Sequence, residues 1–272
     1  MVTINYALQT HDLGNRENVT RYCGKSRSEI TEKCVTSFMF SVDTFAQVHT
    51  NCKQIVHIFD DHSTATTVQF LEYIATYFTK PNVEVRLIHL EDRGILNSIK
   101  TCYQCMRDVD ADIVYQVQDD YLFTKECLLE MVDVFVQVQK DVGKDPIVFP
   151  YNDPYIWTGI YRYQMTPRII IPAAKRYWIS IYDLSCSFMT SREQFNQHWD
   201  LYDEFFRILG SPPYDKLESE SINKILTERH VPGVSPLTSA ALHMQSEFFK
   251  DPYVDWKFLW DSVPELNKVS PC

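Results

Sequence analysis

Carboxylates stand in pairs behind apolar, β-branched runs of this sequence. Residues 113–117 read IVYQV and are followed by Gln118-Asp119-Asp120 and then Tyr121-Leu122-Phe123. Two adjacent carboxylates after a strand offer hard oxygen donors to Mg2+ or Mn2+, cations that share their coordination shell with substrate phosphates. The same pair also reads as a solvated acidic turn. Residues 54–59 (QIVHIF) lead likewise into Asp60-Asp61-His62-Ser63. An aspartate at such a strand end accepts hydrogen bonds from a nucleobase or a ribose, while Asp61 or Ser63 can equally cap the next helix. Thr10-His11-Asp12 and Glu91-Asp92-Arg93 close two more strand patterns. Arg93 is either a forked donor to phosphate or a balance for Asp92. So many carboxylates repel one another unless a cation or hydrogen-bond donors offset the charge.

The elements that must carry these residues alternate. Residues 3–8, 54–59, 83–90 and 113–117 have strand patterning. Residues 28–48, 66–78 and 95–107 carry apolar stripes at helical spacing, with Ser63 or Thr64 as the cap of the second helix. Strands separated by helices imply βαβ units and a mostly parallel sheet covered on both faces. Ligands of such sheets bind beyond the carboxyl ends of the strands, where the acidic residues fall. In the second half, 125–142 reads as a long helix, and 146–149, 168–171 and 177–181 as strands. Residues 192–209 and 218–228 read as helices, and everything after Val231 as irregular. The 272 residues fit one α/β domain, 1–272, whose first half (1–123) is the regular sheet and whose second half (124–272) completes it and adds a pocket.

Composition narrows the chemistry. The net charge of −10 argues against a nucleic-acid partner, because duplex binding leans on Lys and Arg against phosphates. An acidic protein still binds a phosphorylated ligand when a divalent cation supplies the positive charge. With only 7 glycines and neither GxxxxGK[ST] nor GxGxxG, a glycine-rich phosphate loop is not expected. No apolar run reaches transmembrane length, and the first residues lack the basic start and cleavage site of a signal peptide, so a cytoplasmic location is expected. The cysteines lie mostly in apolar stretches and read as reduced and buried. Cys102 and Cys105 form a CxxC without a second pair at zinc spacing. Asn18-Val19-Thr20 carries no meaning as a sequon in such a compartment. Tyr151, Tyr155, Trp157, Tyr161, Tyr163 and Trp178 have flat apolar faces with polar rims that suit sugar rings, or else form an aromatic core. The closing YVDWKFLW run, 253–260, reads as a helix packed on its own domain rather than on a membrane surface.

Four segments taken in order resemble the GT-A fold glycosyltransferases, in the style of family 2. They are LQTHD at the first strand end, VHIFDDHS at the second, DRGILNSIKTC after the third, and IVYQVQDDYLF. The resemblance covers about the first 125 residues. It implies a Rossmann-like α/β sheet and a sugar transferase using a nucleoside-diphosphate sugar, a UDP-sugar being favoured, with a glycan or other hydroxyl as acceptor. It further implies that Asp60 contacts the base with Thr10 beside it, and that Arg93 and Asn97 lie in the donor loop. Asp119 and Asp120 fall on the family's DxD motif. Asp120 would then be the direct ligand of Mn2+ or Mg2+, and Asp119 would touch the ribose or the metal shell. The motif's first position is Gln118, not an acid. Glu220, or else Glu218, matches the acidic base of an inverting mechanism, although both also read as favourable charge at a helix start. His243 matches a late imidazole ligand. Trp157 and Trp178 are the acceptor candidates. A nucleotidyltransferase and a non-catalytic glycan- or nucleotide-binding module on the same fold are the alternatives. The second of these rests on Gln118.

Overall fold

The computed structural model describes residues 1–12, 24–152, 167–173, 175–183, 187–209, 220–244 and 251–266. Trp157, Glu218 and the 18–20 sequon lie outside them, as do Tyr155, Tyr161 and Tyr163.

The regular half follows from its patterning. β1 (Thr3–Thr10), β2 (Lys53–Asp60), β3 (Val83–His89) and β4 (Ile113–Gln118) form a parallel block in the order β3-β2-β1-β4. Its register is continuous: Thr10 pairs with Asp60, and Gln9 with Gln118. Both faces of β1, β2 and β4 are buried, while β3 is a partly exposed edge. Ile4, Tyr6 and Leu8 of β1 enter one core, and Ala7 enters the other. Three helices cover the first face: α1 (Arg27–Val48), α2 (Ala65–Phe78) and α4 (Cys127–Val142). α3 (Ile95–Asp108) covers the second, together with α5 (Arg192–Gln197), α6 (Trp199–Leu209) and α7 (Glu220–Thr227). Tyr103 of α3 is the centre of that second core, with ring contacts to Phe188, Phe195, Tyr202, Phe205 and Phe206 at 5.3–6.3 Å.

The sheet continues past β4 through β9 (Phe188–Ser191), β6 (Ile147–Val148), β10 (Gly233–Pro236), β8 (Arg176–Ser180) and β7 (Ile170–Ala173). β9 and β8 run against the other seven strands. The result is the mixed, mostly parallel α/β sheet with helices on both faces that the sequence implies. Several local expectations need correction. The stretch after Val231 is not irregular: it supplies β10, β11 (Ala241–His243) and α8 (Trp256–Ser262). The helix expected over 192–209 is two helices parted at His198. β5 (Tyr121–Phe123) pairs antiparallel with β11 in a small second sheet. That sheet packs on α1 and α8 through Leu122, Leu242, Ile30, Cys34 and Trp260, so the aromatic C-terminal run packs on its own chain as expected.

Gly233 opens β10 where the chain has no room. A Cβ there would meet the Leu226 side chain at 2.9 Å and the Ile181 carbonyl at 3.0 Å. That carbonyl cannot retreat freely, because the Ile181 N–H is tied to the Gly233 carbonyl at 2.9 Å. Overpacking of this kind costs about 1–3 kcal/mol. Gly233→Ala should therefore lower the urea midpoint by a corresponding amount. An unchanged midpoint would show that Leu226 and Ile181 give way without strain.

Candidate active site

The carboxylates meet at the carboxyl edge of the parallel block, and each has been given partners. Asp12 follows β1 and reaches across to the start of α2. It accepts from the Thr64 N–H at 2.8 Å and the Thr64 hydroxyl at 2.5 Å, and from the Thr67 hydroxyl. Burial pushes this carboxyl up, but the Thr64 and Thr67 hydrogen bonds outweigh it and hold the group below its ordinary value. The helix cap itself is Thr64, whose hydroxyl accepts from Thr67 N, so neither Asp61 nor Ser63 caps α2. Asp61 instead takes the Gly94 N–H on both oxygens at 3.1 Å. Gly94 sits at φ +125°, where a side chain is strained, and precedes α3 without any cap of its own. Asp61 thereby ties the start of α3 to the end of β2.

His11 joins three of these strand ends. Its N–H donates to Asp119 Oδ2 at 2.9 Å, its carbonyl accepts from Arg27 Nε at 2.9 Å, and its Nδ1 donates to the Asp61 carbonyl at 2.7 Å. Asp119 is only 4% exposed. Besides His11 it accepts from the Thr31 hydroxyl at 3.1 Å and forms an ion pair with Arg27 Nη2. Burial drives the Asp119 carboxyl above its ordinary value, against the pull of Arg27. Arg27 responds in the opposite sense to burial: Asp119 and Asp120 hold its guanidinium charge more firmly.

Asp120 is the more open of the pair, its side chain 17% exposed. Its Oδ2 lies 3.5 Å from His243 Nε2 and 3.7 Å from Arg27 Nη1. The β5–β11 pairing makes this meeting possible, since it sets His243 opposite Tyr121. Their rings stack at 4.7 Å with planes 6° apart. The Met244 N–H then closes the turn onto the Asp120 carbonyl at 2.7 Å. A carboxylate oxygen and an imidazole nitrogen beside one another are a donor set that suits Mn2+. Such a cation takes its remaining ligands from phosphate and water, and the pair fits it on that basis. Among the described residues no group of three or more His, Cys, Asp and Glu gathers at one point.

The other sequence-derived residues fall as follows. Asp60 is buried, accepting from Ser63 N at 3.3 Å and from His89 Nδ1 at 3.2 Å. Thr10 is fully buried, and its hydroxyl donates to the Phe59 carbonyl at 3.3 Å. It therefore secures the β1–β2 ends and presents no free hydroxyl to a base. Arg93 is exposed. Asn97 Nδ2 donates to the Asp92 carbonyl at 2.7 Å and so stiffens the loop ahead of α3. Glu220 opens α7. Trp178 requires a correction: it is 0% exposed inside the first core, so its ring offers no face to a sugar. Alternation along β8 turns it to the sheet face of the first core, while its neighbour Ile179 enters the second. Sequence reasoning missed Arg27 altogether, since nothing near position 27 signals that its partners lie in the β4–β5 turn.

No family model matches the chain, and no curated protein sequence matches it. Among solved structures it is similar to the mannosyltransferase PcManGT from Pyrobaculum calidifontis in complex with GDP-Man and Mn2+. The identity there is 14%, over 86% of this chain and 54% of that one, with a TM-score of 0.48. It is also similar to the galactosyltransferase LgtC in complex with donor and acceptor sugar analogs, at 10% identity over 82% and 70% of the two chains and a TM-score of 0.42. A third is 4-diphosphocytidyl-2C-methyl-D-erythritol synthase from Anaerococcus prevotii, at 12% identity over 88% and 90%, with a TM-score of 0.41. This chain spans about half the length of the mannosyltransferase. Its own strand order is that of a mixed, mostly parallel α/β sheet. No helix among the described residues is long and apolar enough to cross a membrane.

Asp12 generates a test of how this edge is held. Asp12→Ala removes three hydrogen bonds at the start of α2 and should cost about 1–2 kcal/mol, the range of a lost helix cap. The folded-state pKa is depressed, so the contribution is present above the unfolded value of ~3.9 and fades as pH falls through the lower folded value. Calorimetry from pH 7 down to pH 3 should show the gap between wild type and variant narrowing at the acid end. A gap that stays constant would mean that Asp12 acts through packing alone.

Proposed function

We propose that this chain is a glycosyltransferase that moves a sugar from a nucleoside-diphosphate sugar to an acceptor hydroxyl. The observation that carries the reading is the approach of Asp120 Oδ2 and His243 Nε2 to 3.5 Å at the carboxyl edge of the sheet. Asp120 belongs to the proposed donor half, 1–123, and His243 to the proposed acceptor half, 124–272. Neither half holds both donors. Asp120 and His243 would hold Mn2+ or Mg2+, which when bound neutralises the diphosphate as it leaves.

The chain's own residues do the rest. Asp60, held by Ser63 and His89 at the end of β2, is the acid proposed to meet the nucleobase, and a UDP-sugar is the favoured donor. Asp119 is occupied by His11, Thr31 and Arg27. Its role is therefore to hold the β4–β5 turn, from which Asp120 projects, rather than to reach a ribose. Arg93, exposed before α3, supplies a forked donor to phosphate. Glu220 at the start of α7, with Glu218 just before it in sequence, is the acid proposed to take the acceptor's proton as its oxygen attacks the anomeric carbon. That role makes the transfer inverting.

Two measurements test the reading. Asp120→Ala should abolish transfer and remove the Mn2+-dependent rise in melting temperature produced by nucleotide, because a bound ligand stabilises the fold by mass action. Activity equal to wild type would sink the metal role. Glu220→Gln should lower kcat by ~10²–10⁴-fold with donor Kd unchanged, because a general base acts on the chemical step. A kcat within a few-fold of wild type, repeated in Glu218→Gln, would move the base elsewhere or make the enzyme retaining.

A further inference from the structure

Among the described residues, Arg27 is the cation placed between the two carboxylates of the β4–β5 turn. It is the first residue of α1, and the capping box of Ser26 and Glu29 fixes its position. Its side chain is 14% exposed. Nε is committed to the His11 carbonyl and Nη2 to Asp119. These two contacts leave the guanidinium plane little freedom. The third nitrogen, Nη1, is buried without a hydrogen-bond partner and lies 3.7 Å from Asp120 Oδ2, outside hydrogen-bonding distance. A fixed positive charge therefore faces the very oxygen that also faces His243 at 3.5 Å.

We propose that Arg27 is a built-in counter-cation that keeps a divalent metal off Asp120 until a diphosphate is present. The inference rests on the glycosyltransferase reading for the identity of metal and anion. In the nucleotide-free protein Arg27 already offsets the charge of Asp119 and Asp120, and a dication entering beside Asp120 meets a like charge that the protein holds still. A nucleoside diphosphate brings several negative charges to the same edge and removes that penalty. Metal and nucleotide then bind as a coupled pair, each raising the affinity of the other by the same factor. Arg27 thus sets the order of loading rather than taking part in the chemistry. It is a positioning residue acting through Asp120.

The test counts bound Mn2+ directly, by the loss of the free-ion electron paramagnetic resonance signal, on the full chain. Mn2+ is titrated alone and then with saturating UDP, or with GDP if only GDP raises the melting temperature. Wild type should bind Mn2+ at least ~10-fold more tightly with nucleotide than alone, within the usual range of coupling between sites. Arg27→Gln keeps an amide donor at the position of Nε, for the His11 carbonyl, but removes the charge. It should bind Mn2+ alone at least ~10-fold more tightly than wild type, since like charges set side by side cost more than a decade of affinity. Arg27→Lys keeps the charge and should stay within about threefold of wild type, well under one decade of affinity. Equal Mn2+ affinity in wild type and Arg27→Gln would overturn the proposal, as would Arg27→Lys matching Arg27→Gln. Should Arg27→Gln fail to fold, the wild-type comparison decides alone: Mn2+ binding no tighter with nucleotide than without it overturns the idea. Asp120→Asn separates the two levels of inference. If its Mn2+ binding survives intact, the metal reading of the site fails. If Asp120-dependent binding is present but indifferent to Arg27, only the present proposal fails.

Discussion

The organisation of this molecule turns on negative charge gathered at one edge of a parallel sheet. Strand ends β1, β2 and β4 bring Asp12, Asp60, Asp61, Asp119 and Asp120 to that edge, and all but Asp120 are buried. A buried carboxylate without donors is too costly to keep, so each one draws in a group from another element. Asp12 recruits Thr64 and Thr67, Asp61 the backbone of Gly94, Asp60 Ser63 and His89, and Asp119 His11, Thr31 and Arg27. The charges therefore act as fasteners. They pin the starts of α1, α2 and α3 to the strand ends around the place where a ligand of such a sheet binds.

The second half serves that edge from a distance. β11 returns to pair with β5, placing His243 against Tyr121 and within 3.5 Å of Asp120. Three residues of antiparallel pairing are a weak anchor alone. They are held by packing from both sides. Ile30 and Cys34 of α1 and Trp260 of α8 close over Leu122 and Leu242, while Tyr151 meets Tyr121 edge-on at 5.2 Å. Helix α8 thus bears on this edge indirectly, by steadying the small sheet that carries His243.

The regular half was legible because its strands are β-branched runs and its helices carry stripes at helical spacing. The α1 expected over 28–48 is found as Arg27–Val48, and the parallel order of β1 to β4 follows from the βαβ alternation. Four short elements were not legible, although β6 and β7, no longer than these, overlap the strands expected over 146–149 and 168–171. β5, β9, β10 and β11 are three or four residues each, too few to show a period, and their pairing is fixed by partners far along the chain. Trp178 misled for a related reason: an aromatic with a polar rim is equally apt for a sugar or a core, and only the covered face of β8 on which it falls decides it, Tyr177 beside it being exposed. The acidic pairs were visible, yet their division of labour was not. That division depends on Arg27, whose partner in the salt bridge is Asp119, 92 residues away.

The same logic accounts for Gln118, the departure from an acidic first position in the motif. Gln118 is the last residue of β4 and stands opposite Gln9 of β1, immediately before two carboxylates that already share one guanidinium. Of the donors that Arg27 offers, Nε is spent on the His11 carbonyl and Nη2 on Asp119. A third carboxylate at 118 would add a charge beside Asp119, whose own burial already favours its protonated form. By charge balance one of the three would lose its ionisation, at the expense of the fastener that holds α1. A neutral amide at 118 keeps the strand end polar and leaves the charge of Arg27 to the pair that follows. On these contacts a neutral Gln118 leaves the two acids separate surroundings: Asp119 among His11, Thr31 and Arg27, and Asp120 facing His243.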